Sequence, residues 1–281
     1  EAWITYTQNK PVSFFFGAYD QDALDEEARI GFLNFTDPKF LKEFEGAVQD
    51  SYIKAKTLSQ TYFEKFYKNE KNVLQNNPKE VVEFLKHVRE TTSSIMSYYF
   101  LTQPQRFYKF DEEIKSYLPI KDLELISTTG RHLTYVAKIT NEIVNLAKEI
   151  HDNKSTYEEY ATNHPKRHAE IKEVVDKLGF LNWGLLGGEL IDEEYVKNEI
   201  KNLTSEEKKF ADEVKKMSDL VSQIESRNII LETNKSKEAK MADIMGYSSV
   251  LRFDLQTCML CIVKYADNFI KLAQEKYSLT S

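Results

Sequence analysis

Leu178-Gly-Phe-Leu-Asn-Trp-Gly-Leu-Leu-Gly-Gly-Glu-Leu-Ile-Asp-Glu-Glu-Tyr195 separates two long charged helical patterns. It holds four of the nine glycines and one of the two tryptophans in a chain of 281 residues. Gly179, Gly184, Gly187 and Gly188 give backbone freedom that a helix interior lacks. Phe180, Leu181, Trp183, Leu185 and Leu186 are too apolar for a solvated linker. The stretch therefore reads as an apolar loop pinned into a core, with Trp183 as its anchor. Asp192 caps the next helix, and Glu193 and Glu194 sit in its positive first turn.

Upstream and downstream of this crossing the apolar residues recur every three or four positions. Asp37 or Thr36 caps a first long helix, Pro38 fits its first turn, and the stripe Phe40, Leu41, Phe44, Val48, Tyr52, Ala55, Leu58 carries it to about Asn69. Pro78 opens a second helix that ends at Gln103-Pro104. Asp111–Leu118 reads as a short helix. Pro119 starts another, broken or kinked at Thr128-Thr129-Gly130 and running on to Ile150. Ser155 caps a short helix to about Asn163, and Pro165 begins the helix that feeds the crossing. Beyond it come Asp192–Asn202, then a helix opened by Thr204 and Glu207 at capping-box spacing, with Phe210, Val214, Met217, Val221, Ile224 and Ile229 on its face. Lys237–Tyr277 is the last helical region, which Gly246 is placed to divide.

Residues 1–36 differ. Trp3–Thr7, Val12–Phe16 and Ile30–Phe35 are β-branched and aromatic runs separated by turn-like breaks, so the reading here is a small antiparallel sheet. The expected fold is mainly α: long amphipathic helices around a single apolar interior over 37–281, with the sheet over 1–36 packed on it.

Hydrophobic residues make up 41% and charged residues 30%, a globular balance. A formal charge of −7 disfavours nucleic acid and anionic membrane surfaces as partners. No apolar run approaches the ~20 residues of a membrane span. Glu1-Ala-Trp-Ile has neither the basic region nor the apolar core of a signal peptide. Two cysteines argue against a disulfide scaffold and point to the cytoplasm.

A helix leading into Lys177-Leu178-Gly179-Phe180-Leu181-Asn182-Trp183, a Gly-rich turn and an acidic helix start resemble the helical part of phosphoenolpyruvate-utilising phosphotransferases, the relatives of pyruvate phosphate dikinase and phosphoenolpyruvate synthase. The order of features from Leu125 to Tyr277 is similar as well. The resemblance implies a substrate-side helical region that binds a small-molecule acceptor. A separate phosphohistidine mobile domain, charged from ATP or phosphoenolpyruvate with Mg, would bring the phosphoryl group. None of the five histidines here lies in the Gly-rich setting of such a carrier, so this chain would supply no phosphohistidine, cofactor site or metal site of its own. The competing expectation is a non-catalytic helical scaffold that docks a protein.

Four groups are candidates for a site. Gly130-Arg131-His132 falls at a helix break: Arg131 offers a planar fork for phosphate or carboxylate, and His132 exchanges protons near neutrality. The bland alternative is a kink whose side chains pair with nearby acids. Glu189 and Asp192 are placed to orient a hydroxylated substrate beside Trp183, or are ordinary N-terminal charge. Trp183, Arg131, His132 and Glu189 are thus expected around one pocket. Cys258-Met-Leu-Cys261 lies within an apolar helix, which favours packing over redox or metal chemistry. His164 and His168 are four apart, but His164 precedes Pro165 and so falls outside the helix, which favours a solvated helix start.

Overall fold

The computed structural model describes residues 37–62, 78–101, 119–182 and 189–277. Over these residues the chain is helical: α1 (Pro38–Tyr62), α2 (Pro78–Leu101), α3 (Ile120–Thr128), α4 (Tyr135–Asp152), α5 (Tyr157–Asn163), α6 (Pro165–Asn182), α7 (Glu193–Ser205), α8 (Glu207–Thr233) and α9 (Lys237–Tyr277). The fold class is corrected accordingly. It is all-helical, not helices with a small antiparallel sheet, because no strand occurs among the described residues. Residues 1–36, where the sequence places the sheet, lie outside them, as do Asp111–Leu118 and Trp183.

The 41-residue helix α9 is the spine, roughly 60 Å long at 1.5 Å per residue. It packs against α1, α2, α3, α6 and α8. Its inner face is Leu251, Leu255, Cys258, Ile262, Tyr265 and Phe269, spaced four, three, four, three, four and all buried. Each such apolar side chain contributes about 1.5–3 kcal/mol by leaving water. Gly246 does not divide the helix. A Cβ there would overlap the carbonyl oxygens of Ile126 and Thr129, so the missing side chain lets α3 cross α9 at backbone contact.

The interior is not single. One core joins α1, α2 and α9 to Phe180 and Leu181 at the end of α6. A second joins α4 to α5, α7, the start of α8 and Ile171 and Val175 of α6. A smaller cluster sets Leu123 and Ile126 of α3 on Met241 and Ala242 of α9. Helix α6 belongs to both large cores, and Leu178 touches each.

Several helix ends follow the sequence. Asp37 accepts the Lys39 N–H at 2.9 Å and Asp192 that of Tyr195 at 2.8 Å. The break at Thr128-Thr129-Gly130 separates α3 from α4. Others differ. Ser155 finishes α4 by donating its N–H to the Ile150 carbonyl at 3.2 Å, so the cap of α5 passes to Thr156, which forms a capping box with Glu159. Thr204 lies inside α7, its hydroxyl donating to the Ile200 carbonyl at 2.8 Å, and α8 starts after Glu206 with no side-chain cap. On α8 the buried register runs Phe210, Met217, Arg227, while Ile229 is exposed. Among the described residues no helix is long and apolar enough to cross a membrane.

Helix α4 is capped twice. Thr134 accepts the Ala137 N–H at 3.2 Å, and Asp254, reaching in from α9, accepts the Tyr135 N–H at 2.8 Å. Burial holds the Asp254 carboxyl up at about 7, against the opposing pull of the Tyr135 N–H and Lys138. The folded chain therefore keeps this proton to higher pH than the unfolded chain does. Between about pH 4 and 7 the unfolded chain binds fewer protons, so the Asp254 contribution to stability falls as pH rises and is flat above. Asp254→Asn removes that slope. Urea midpoints at pH 5 and pH 8 are expected to differ less in the variant than in the wild type, and equal differences would refute the assignment.

Candidate functional site

The described part of the crossing builds a site. Helix α6 ends at Asn182, and the chain returns through Glu189 to Asp192 along the last turn of the same helix. Asn182 donates its side-chain amide to the Glu189 carbonyl at 2.9 Å, and Ile191 donates its N–H to the Gly179 carbonyl at 3.2 Å. Any side chain at Gly179 would strike the backbone of Ile191. This return closes a cavity of about 280 Å³ between α1, α5, α6 and α7. Its apolar lining, the floor, is Ile171, Val175, Phe180, Leu190, Ile191 and Val196, and Ser59 of α1 also lines it. The polar wall is Tyr157, His168, Lys172, Asp176, Asp192 and Glu193.

Within that wall His168 is the hub. Its Nε2 lies 3.0 Å from the Tyr157 hydroxyl and 3.7 Å from a Glu193 oxygen, and the two rings meet edge-on. Burial first, then the nearby carboxylates of Glu193 and Glu158, push the Tyr157 hydroxyl up to about 12, so it stays a donor at neutral pH. Lys197 stands over the Tyr157 ring at 5.3 Å and pairs with Glu158 at 3.1 Å. The arrangement is a partly open, mainly apolar cavity with hydrogen-bonding groups among its lining residues. Sequence reasoning missed it because the groups come from three helices. His168 was in view only through its spacing from His164, which instead stacks on Tyr160 at 4.4 Å.

Arg131 and His132 do not line this cavity. Arg131 lies beyond the α3–α4 break, where its fork grips Asp243 of α9 through bonds of 3.1 and 2.9 Å and its guanidinium covers the Tyr247 ring at 4.1 Å. Burial opposes its charge, but the Asp243 carboxylate more than compensates and raises its pKa. His132 meets the edge of the same tyrosine at 5.8 Å. Burial, followed by the charges of Lys138 and Arg131, lowers its pKa, so it is neutral at pH 7. Glu189 is exposed at the lip of the return, next to the cavity residue Leu190. Trp183 lies outside the described residues.

Asp243 also takes a second arginine that the sequence did not advertise. Arg227, wholly buried on α8, bonds the same carboxylate and reaches Asn228 at 2.9 Å. Its place in the apolar register of α8 was the available signal. Cys258 and Cys261 are free and buried, burial raises both thiols, and the Cys261 thiol donates to the Phe180 carbonyl at 3.3 Å. Among the described residues no three His, Cys, Asp or Glu side chains group as metal ligands.

Asp243 therefore neutralises one buried and one half-exposed guanidinium. Asp243→Asn is expected to cost about 3 kcal/mol, because Arg227 loses its counter-ion in the interior. Arg131→Met is expected to cost at most about 1 kcal/mol, because water can replace that pair. Chemical denaturation ranks the two, and equal losses would contradict the division of roles.

No family model, no curated protein and no solved structure matches the chain.

Proposed function

We propose that the chain is the helical substrate-recognition part of a phosphotransferase of the phosphoenolpyruvate-utilising type, holding a small-molecule acceptor for a phosphohistidine domain supplied separately. The observation that carries this is the cavity itself: its wall is made by Phe180, Leu190, Ile191, Asp192 and Glu193, the same segment on which the family resemblance rests. The partner domain would supply the chemistry, breaking its P–N bond as a P–O bond forms to the acceptor hydroxyl, whose proton passes to the freed imidazole. This chain's part is to hold that hydroxyl. The apolar floor positions the acceptor body, and the Tyr157–His168–Glu193 edge orients its polar end. Arg131 and His132 lie outside that wall. Arg131 serves the α3–α9 crossing, with His132 beside it on Tyr247.

A second reading, a scaffold that docks a protein, draws on the apolar side chains that stay exposed on α9 (Phe253, Val263, Ile270) and on Ile53 of α1. One experiment separates the two. The chain is mixed with a phosphohistidine domain charged with labelled phosphate from ATP or phosphoenolpyruvate and Mg, together with a panel of small hydroxylated acceptors. Label is expected on an acceptor only when the chain is present, with at least a tenfold loss in Val175→Trp, which fills the cavity. Release of label to water alone, at the same rate with or without the chain, would refute the transferase role.

A further inference from the structure

We infer that the cavity beside α6 takes an amphipathic organic cation, an apolar ring system bearing one ammonium group, in preference to an anion. This deepens the transferase proposal and rests on it for the cavity's role as acceptor site. The ligand class itself follows from the wall alone.

The volume of about 280 Å³ suits a small bicyclic body with a short arm. The floor of aliphatic side chains and Phe180 offers that body no polar partner, so affinity there comes from apolar area leaving water. Charge on the rim is uneven. Asp176, Asp192 and Glu193 face one ammonium, that of Lys172. A second cation near Tyr157, Lys197, is paired by Glu158 at 3.1 Å. The N-terminus of α7 would by itself favour an anion, but Asp192 is its N-cap and Glu193 and Glu194 sit in its first turn, which cancels that preference. His168 spends Nε2 on the Tyr157 hydroxyl at 3.0 Å. An entering carboxylate or phosphate would thus meet three carboxylates. An ammonium would find Glu193 and Asp176 among the same lining residues, with its ring on the apolar part of the lining. The contribution of these partly solvated charges is weakened by salt.

Tryptamine, tryptophol and indole-3-acetate test this, because they share one ring and differ in the charge of the arm. Each is titrated into the full chain by NMR with methyl-labelled isoleucine and valine, with no phosphoryl donor present. Tryptamine is expected to bind tightest and indole-3-acetate weakest, by at least about fivefold at low ionic strength, narrowing in high salt. Shift changes should centre on the methyls of Ile171, Val175 and Ile191, which locates the site even if no variant folds. The double variant Asp176→Asn with Glu193→Gln should bring the amine and the acid to within about twofold. Equal affinities, preference for the acid, no binding by any of the three, or shifts centred elsewhere would overturn the inference. A hydroxylated amine that binds here yet never accepts phosphate would sink the transferase proposal and leave this one standing. Transfer to an anionic acceptor would do the reverse.

Discussion

The return of residues 189–192 along the last turn of α6 is the contact on which the rest of the molecule depends. It consists of one backbone bond, Ile191 N–H to the Gly179 carbonyl, one side-chain bond, Asn182 to Glu189, and a backbone approach that only a glycine permits. Through it the end of α6 is held between two interiors. Phe180 and Leu181 go into the core around α9, and Ile191 goes into the core around α4. Without the return, α7 would lose its docking angle and the cavity would lose the wall made by Leu190 and Ile191. Fold and site thus share one constraint.

The second constraint is the way α9 accepts its neighbours. Apolar packing sets its inner face, but the crossings are set by particular groups. Gly246 admits α3, Asp254 caps α4, and Asp243 receives arginines from the α3–α4 loop and from α8. Three successive turns of one helix therefore position three others. Buried charge of this kind adds little net stability against a well-packed apolar alternative, yet it allows only one register, since a shifted helix would leave Arg227 without its carboxylate.

Much of this was legible along the chain. Three- and four-residue spacing marked the long helices, and the prolines at 38, 78 and 165 marked three of their starts. The break at Thr128-Thr129-Gly130 and the Asp192 cap were also readable, because each is decided by two or three adjacent residues. The errors have the same origin in reverse. Thr204 has the spacing of a capping residue, but its hydroxyl turns back into α7, and only the path of the chain decides that. Ser155 closes one helix, although its residue type and position suit opening the next equally well. The aromatic runs of residues 1–36 suggested strands by composition, and they lie outside the described residues, where the apolar cores pack helix on helix. The site was least legible. Tyr157, His168 and Glu193 come from α5, α6 and α7 and meet only once α6 is docked, while the conspicuous Arg131 was recruited to hold a crossing.

Native-state hydrogen exchange at the Ile191 amide tests the account most directly. If the return to Gly179 joins the two cores, this amide opens only with the free energy of global unfolding, alongside core amides of α4 and α9. Exchange at the rate of a fraying loop, with α4 and α9 still protected, would mean that the two cores hold together without it and that the central claim is wrong.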